Sequence, residues 1–195
     1  MLSFPGGNEL KKTVYILSAL FPALTAVFAL IYSKTGAGVY LTLAITAGTA
    51  ASHFLMRLAV GLFFKIILGN RADYNKKWYR TGPLELRIYR KLRVAKWSVR
   101  VPAFEPETFD LKTNSLEDIA KTMCRAELVH ETIAVLSLVP VLFSLRFGSP
   151  AVFIITSLLS MCFDLVFVAV QRCNRPRVLR LMARRAEKEK PIDAK

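Results

Sequence analysis

The sequence places ionisable side chains inside apolar segments, and two of them, Glu127 and His130, lie close together in the stretch AELVHE. Residues three apart on a helix share one face. A carboxylate beside an imidazole can fix the tautomer of the ring and raise its basicity, which suits a general base that takes a proton from a hydroxyl group. We therefore predict that His130 is the catalytic base and that Glu127 orients it.

A structural role for this pair is the alternative. Glu127, together with Glu131, would then be a charge at the membrane surface, paired with Arg125 or Lys121. A metal site is poorly supported, because carboxylate bundles that hold two metal ions need two Glu-x-x-His motifs and further carboxylates. We predict no metal ion and no resident cofactor.

Two further ionisable residues, His53 and Asp164, lie inside other apolar segments. Placing such a group inside a membrane costs about 2.5–3.5 kcal/mol on insertion scales, so each position needs a structural or functional explanation. At about 1.5 Å per residue, His53, His130 and Asp164 all lie roughly 6–10 Å inward from a polar residue near the end of their segment. This shared depth predicts a reaction centre just below the lipid headgroups. The alternatives are a neutral, structural His53 and an Asp164 that only pairs with a neighbouring helix.

Four apolar segments carry these residues, and each has about the roughly 20 residues that cross a bilayer core. They are Thr13–Tyr32, Val39–Met56, Ala126–Leu145 and Phe147–Val170. Ser115, with Asp118 three residues later, is a helix start signal ahead of the third segment. The chain is 53% hydrophobic and yet has a formal net charge of +14, which argues against an ordinary soluble domain. The sequence predicts an all-α, polytopic membrane protein with one membrane domain over residues 1–195.

The positive charge is separated from these four spans. Most of the 28 Lys and Arg residues precede the first span, lie in the segment 69–125, or follow the fourth span. Basic residues near spans are retained on the cytoplasmic side. We therefore predict that both termini and the segment 69–125 are cytoplasmic, and that the site lies near the cytoplasmic face. Because topology explains the charge, we expect no nucleic-acid partner.

Two basic stretches are predicted to form helices along the membrane surface. The stretch LELRIYRKLRVAKW, residues 84–97, spaces Leu, Ile and Ala at helical intervals opposite Arg and Lys, and it ends in Lys96 and Trp97. The second helix is predicted over residues 178–190, and its arginines are typical of contact with anionic phospholipid headgroups. Both helices would be amphipathic or basic elements at the interface.

The stretch VQRCNRPR, residues 170–177, follows the fourth span. Pro176 has no backbone N–H, so we predict that it ends the span or opens a new helix, with Asn174 available as a cap. The new helix would direct its free N–H groups, with Arg175 and Arg177 alongside, toward an anion. The alternative is that these charges only anchor the chain at the membrane.

Two stretches together, KTMCRAELVHE (121–131) and VQRCNRPRVLRLMARR (170–185), resemble the glycosyl-4,4'-diaponeurosporenoate acyltransferase family. These are small bacterial membrane enzymes that complete staphyloxanthin-type carotenoids. The stretch YRKLRVAKWSVRVP (89–102) is similar to the family's basic, Trp-containing segment. Cys173 stands where the family has an aromatic residue, and Glu131 stands where it has Trp. These departures concern the acceptor more than the chemistry, and a different glycolipid is the alternative acceptor.

The resemblance implies transfer of a fatty acyl chain to a sugar hydroxyl of a glycosylated carotenoid in a bacterial cell membrane. The donor would be an activated acyl group such as acyl-CoA, used as a co-substrate. The residues carried over besides His130 and Glu127 are Arg125, Gln171, Arg172, Asn174, Arg175, Pro176 and Arg177. Four further residues are predicted to bind substrate from their position: Asp164, Lys96, Trp97 and His53.

Two other classes of function stay open at this point. A non-catalytic membrane protein would use its basic segments to bind anionic lipid or a partner enzyme, and it would tolerate replacement of His130. A lipid methyltransferase would use the arginine-rich stretch after the fourth span to hold a methyl donor. We make no prediction of the oligomeric state.

Overall fold

The computed structural model describes residues 7–99, 101 and 103–188, and all regular secondary structure in these residues is helical. The α-helices are α1 Gly7–Thr35, α2 Gly38–Leu68, α3 Pro83–Lys91, α4 Leu116–Leu136, α5 Ser144–Phe147 and α6 Pro150–Lys188. Short 3₁₀ helices cover Lys77–Tyr79, Val94–Val99, Pro106–Phe109 and Val139–Phe143. The predicted all-α fold is confirmed.

Four helical stretches in the described part of the chain are long and apolar enough to cross a membrane, as predicted. They are Glu9–Thr35, Gly38–Leu68, Leu116–Phe147 and Pro150–Lys188. Large apolar side chains remain exposed on them: Ile66, Leu145 and Leu159 are 74%, 89% and 67% exposed. Apolar side chains on the outside of a helix suit contact with lipid rather than water. The cytoplasmic orientation of the termini stays a prediction.

The third span begins where the sequence predicts a helix start. The backbone N–H of Asp118 donates to Ser115 Oγ at 3.0 Å, and the Ser115 hydroxyl donates to the Asp118 carboxylate at 2.6 Å. This exchange satisfies one of the N–H groups that have no partner inside the first turn of α4. α4 ends at Leu136, and a 3₁₀ helix with Pro140 in its first turn follows.

The fourth span begins later than predicted and continues further. Gly148 and Ser149 have positive φ values of 70° and 52°, and this turn moves the helix start to Pro150. α6 then continues through Pro176 to Lys188. The prediction that Pro176 ends the span or opens a new helix is therefore wrong, and the anion site predicted at the start of that helix is not formed.

A hydrogen bond from elsewhere in the chain compensates for Pro176 inside α6. In an uninterrupted helix, the N–H of residue 176 would donate to the carbonyl of Arg172, and proline has no such N–H. The hydroxyl of Thr81 donates to the Arg172 carbonyl instead, at 3.0 Å. Asn174 consequently lies within the helix and not at a cap. Residues 189 and 190 of the predicted basic helix lie outside the described residues.

The predicted surface helix over 84–97 consists of two pieces. α3 ends at Lys91, and Arg93 has a positive φ of 54°. This backbone turn carries Val94 into a fully buried position at the start of the next 3₁₀ helix. The predicted location of these pieces at a membrane surface, and their contact with phospholipid, stay predictions.

The helices contribute to two compact units. The first unit contains Lys65–Leu128 and the chain from Phe167 onward, and the second contains Asn8–Phe64 and Val129–Val166. In the first unit, side chains of α4, including Ile119 and Met123, pack against Val178 of α6. In the second unit, α1 and α2 approach closely at Gly48, where an added Cβ would lie 3.3 Å from the Thr25 side chain.

Candidate functional site

Three helices of the second unit bring five polar side chains together, which we call the histidine cluster: Arg57, His130, Ser137, Ser160 and Asp164. Nδ1 of His130 lies 2.8 Å from Oδ1 of Asp164. Arg57 donates to the other oxygen of Asp164 at 2.5 Å and to Ser160 Oγ at 2.9 Å. The Ser137 and Ser160 hydroxyl oxygens are 2.9 Å apart. α2, α4 and α6 thus converge on one hydrogen-bonded network.

The carboxylate of Asp164 is the centre of this network, and its side chain is fully buried. Removing a carboxylate from solvent is unfavourable unless a cation and hydrogen-bond donors surround it. The Arg57 guanidinium supplies the charge, and the imidazole of His130 contacts the second oxygen. The buried acid therefore holds both a permanently charged group and a titratable ring in fixed positions.

The contact partner of His130 differs from the one predicted. Both carboxylate oxygens of Glu127 accept hydrogen bonds from arginines of α6, namely Arg172 and Arg175. Asp164 takes the position beside the His130 ring instead. Residues three apart on one helix share a face, but each side chain still bonds to whichever group a neighbouring helix presents at its own level. The structure therefore assigns the contact with His130 to Asp164 and not to Glu127.

His53 is buried in the second unit, with 5% of its surface exposed, and it lies one turn before Arg57 on α2. Arg57 donates to its backbone carbonyl at 3.3 Å. Neither ring nitrogen of His53 makes a hydrogen bond to the part of the chain that is described. Leaving a buried polar group unsatisfied costs about 1–3 kcal/mol. Substrate binding by His53 stays a prediction.

The first unit contains a second polar network, which we call the arginine clamp: Glu85, Glu127, Arg172 and Arg175. Arg172 Nε donates to Glu127 Oε1 at 2.8 Å, and Arg172 Nη1 donates to Glu85 Oε1 at 3.0 Å. Arg175 donates to the second oxygen of Glu127. Glu127 is 0% and Arg175 is 1% exposed, so the ion pair between these two residues is buried.

The arginine clamp also holds the irregular segment between α2 and α3. Arg172 donates to the Trp78 carbonyl at 2.6 Å, and Arg175 donates to the Tyr79 carbonyl and lies 5.1 Å from the centre of the Tyr79 ring. Nearby, the Tyr89 hydroxyl donates to Glu85. Burial, together with this hydrogen bond to a carboxylate, raises the pKa of Tyr89, so its hydroxyl remains a donor at neutral pH.

These contacts bear on the substrate-binding roles predicted for Arg172 and Arg175. Their guanidinium groups are bonded to carboxylates and backbone carbonyls, so a substrate anion would have to displace those partners. Arg125 is similarly engaged: it donates to the Gly69 carbonyl at 2.9 Å and lies 3.7 Å from Glu105. The geometry thus favours a structural role for these three arginines.

An apolar groove of about 60 Å³ is present in the first unit, between α4, α6 and the segment that precedes α4. Apolar side chains form most of its lining, among them Phe109, Ile119, Met123 and Phe167. Gln171 and Asn174 also line it. Two residues predicted to bind substrate therefore lie at a concave surface.

The remaining predicted residues lie at the surface. Arg177 is exposed, and it contacts Asn174 Oδ1 at 3.5 Å. Lys96 is exposed and Trp97 is half-buried in the 3₁₀ helix after α3. In the described residues, no group of three or more His, Cys, Asp and Glu side chains could hold a metal ion.

Sequence analysis did not identify Arg57, Ser137 or Ser160 as members of the site. Arg57 lies just beyond the predicted end of the second span at Met56, but α2 continues to Leu68. A usable signal was present, because Arg57 is one turn from His53. Ser160 is likewise one turn from Asp164, so each lies on the same helix face as a residue already selected.

Comparison with known proteins gives one family. A family model described as CrtO, glycosyl-4,4'-diaponeurosporenoate acyltransferase, matches residues 75–184, which is more than half of the chain. The matched region contains the AELVHE stretch of α4 and the arginine-rich stretch of α6. No curated protein and no solved structure matches the chain.

Proposed function

Because the chain belongs to the glycosyl-4,4'-diaponeurosporenoate acyltransferase family, we propose that it transfers a fatty acyl chain to a sugar hydroxyl of a glycosylated carotenoid, with His130 as general base. The observation that carries this proposal is the contact between His130 Nδ1 and the buried carboxylate of Asp164, 2.8 Å apart. An imidazole held by a buried acid is an arrangement that suits proton transfer from a hydroxyl group.

Asp164 determines which nitrogen of His130 acts as the base. When Nδ1 carries the proton and donates to Asp164, the lone pair is on Nε2. Arg57 compensates the charge of the Asp164 carboxylate from the other side. In this proposal Asp164 takes the orienting role that sequence analysis gave to Glu127. Asp164 is a positioning residue, because it acts on the acceptor only through His130.

In the proposed acyl transfer, His130 takes one proton from the acceptor hydroxyl and gives it to the leaving thiolate. Nε2 of His130 takes the proton of the acceptor hydroxyl as the hydroxyl oxygen attacks the carbonyl carbon of an acyl thioester such as acyl-CoA. The tetrahedral intermediate then breaks the carbon–sulfur bond and releases the thiolate, which receives the proton from His130. An ester forms, a thioester breaks, and the histidine returns to its starting state.

An intracellular acyl donor would require a site near the cytoplasmic face, in agreement with the positive-inside distribution of Lys and Arg. The acceptor and the acyl tail would remain in the lipid of a bacterial cell membrane. The exposed arginines at the end of α6, Arg180, Arg184 and Arg185, suit contact with anionic phospholipid.

Lipid mass spectrometry tests the proposal in cells that supply a glycosylated carotenoid. We expect wild type to produce a lipid that is heavier by one fatty acyl group, and His130→Ala to reduce this product by about 100-fold or more. Val135→Ala, an exposed position on the same helix, is the matched control and should retain full activity. Membrane abundance must be equal in the three strains.

Two results would oppose the proposal in different ways. Acylated product from His130→Ala at normal levels would mean that another group is the base. If wild-type protein leaves the carotenoid pool unchanged, a glycosylated carotenoid is not the acceptor. A comparison of all lipids would then identify the acceptor.

A further inference from the structure

The groove in the first unit has the composition of a site for an alkyl chain with a polar end. Its body is formed by side chains such as Phe109, Ile119, Met123 and Phe167, whereas Gln171 and Asn174 lie one turn apart on α6. Small-molecule sites are mostly apolar concave surfaces with a few polar groups that fix the orientation of the ligand. The amide groups here would orient a ligand whose remaining surface is hydrocarbon.

The two amides are available for a ligand. The Gln171 side chain makes no hydrogen bond within the described residues, and the one hydrogen bond of the Asn174 side chain there is the long 3.5 Å contact from Arg177. Each amide can donate two N–H groups. A carbonyl oxygen in the groove would satisfy these donors better than the apolar lining does.

Positive charge lies next to this polar end. Arg177 is exposed beside Asn174, and Arg180 is exposed one turn further along α6. Both guanidinium groups suit the phosphates of an acyl carrier such as a coenzyme A derivative. Sugar hydroxyls would be poorly accommodated, because the apolar body of the groove offers them few hydrogen-bond partners.

We propose that this groove binds the acyl donor: the first methylenes of the acyl chain occupy the apolar body, the amides of Gln171 and Asn174 bind the acyl carbonyl, and Arg177 binds the anionic carrier. The nature of the donor rests on the proposed acyl-transfer function. A volume of about 60 Å³ exceeds the roughly 10–15 Å³ that one water-sized sphere occupies on this measure. The groove therefore holds a short stretch of chain, and the rest of the chain extends beyond it.

Equilibrium binding of a long-chain 2-oxoalkyl thioether of coenzyme A tests this proposal, because it keeps a carbonyl group near the sulfur but has no thioester and cannot transfer its chain. The assay uses the full-length protein with His130→Ala, so that binding is measured without turnover. Ala103→Trp should fill the groove from its loop side and weaken binding roughly tenfold, as expected for displacing about two methylenes. Ala151→Trp, at an exposed position on α6, is the matched control and should leave affinity unchanged.

A second pair of variants tests the charged end. Arg177→Gln should weaken binding of the thioether, and Arg184→Gln, which removes the same charge at another exposed position on α6, should not. Equal affinities for Ala103→Trp and Ala151→Trp would overturn the proposal, and so would equal losses in both arginine variants. The second result would indicate general attraction to a basic surface.

Photolabelling of the wild-type protein tests the groove even if the Ala103→Trp variant does not fold. A thioether that carries a photoactivatable group on the first carbons of its chain should label wild-type residues Phe109, Met123 or Phe167. Labels confined to other residues would overturn the groove as the binding site. Neither binding nor photolabelling requires product to form. The groove proposal can therefore fail while the acyl-transfer proposal holds, and the reverse.

Discussion

The histidine cluster and the arginine clamp each contain a buried carboxylate held by arginine, but they differ in what else the carboxylate holds. Asp164 bonds one arginine and one histidine. Glu127 bonds two arginines, and these also bond backbone carbonyls. The clamp consists of carboxylates and guanidinium groups bonded to one another and to backbone carbonyls, whereas the histidine cluster contains an imidazole ring.

This difference separates a network that can perform chemistry from one that holds the fold. Motif membership alone does not distinguish the two networks, because the resembling stretches contribute Glu127, Arg172 and Arg175 to the clamp and His130 to the histidine cluster. The arginine clamp uses the most distinctive residues of the α6 stretch to fix the segment near Tyr79. The histidine cluster depends on Asp164, which lies outside the stretches that resemble the family.

The largest effect that we expect in a test of this comparison is the loss of protein stability when a residue of the arginine clamp is replaced. Glu127→Gln leaves the buried charge of Arg175 without its carboxylate partner, whereas Arg172 keeps Glu85. Breaking a buried ion pair in this way costs about 3–5 kcal/mol. We expect a large drop in thermal unfolding temperature and in folded protein recovered from membranes. Glu117→Gln, which breaks an exposed pair with Lys121, should cost no more than about 1 kcal/mol.

The comparison fails if Glu127→Gln proves as stable as Glu117→Gln and yet loses acyl transfer. The clamp would then take part in the chemistry, as sequence analysis predicted for Glu127.

A second prediction concerns the rate of reaction rather than stability. Asp164→Asn keeps the shape of the side chain but no longer fixes the tautomer of His130, so kcat per folded molecule should fall by about 100-fold or more. The KM values of both substrates should change little, because Asp164 does not contact them in the proposed mechanism. Steady-state kinetics on folded protein, quantified by size-exclusion chromatography, measures both quantities.

Asp164→Glu is the conservative control, and it should recover part of the lost kcat. A purely structural Asp164 would instead give a variant with reduced folded yield and a normal kcat per folded molecule.

The smallest expected effect concerns the hydrogen bond that compensates for Pro176. Thr81→Val removes the donor to the Arg172 carbonyl and should lower the free energy of unfolding by about 1 kcal/mol. Pro176→Ala restores the missing N–H, so Thr81→Val should cost less in that background. Thr46→Val, whose hydroxyl bonds only within its own helix, is the matched control. Additive effects of Thr81→Val and Pro176→Ala in a double-mutant cycle would contradict this account.

Much of the helical framework could be predicted from sequence, because its causes are local. Four apolar stretches of sufficient length have few alternatives to helices that cross a membrane. The start of α4 at Ser115 depends on groups three residues apart. The depth of His130 and Asp164 along their helices follows from residue counting, and their contact agrees with that count.

What could not be predicted depends on partners far apart in the chain. Spacing along α4 shows that Glu127 and His130 share a face, but not that different groups of α6 bind each of them. Proline usually breaks a helix, but α6 continues through Pro176. The compensating hydrogen bond to the Arg172 carbonyl comes from the hydroxyl of Thr81, which is 91 positions before Arg172. The pairing of Arg57 with the buried Asp164 could not be predicted, because the two residues are 107 positions apart.

The bond between Arg175 and the Tyr79 carbonyl has a consequence for the order of events during synthesis. The two residues are 96 positions apart, and at about 5–20 residues per second a ribosome needs roughly 5–20 s to make the intervening chain. A 3₁₀ helix as short as Lys77–Tyr79 has too few hydrogen bonds to persist by itself. This segment therefore stays without Arg172 and Arg175 until that part of α6 has been synthesised, so the first unit cannot be completed before then.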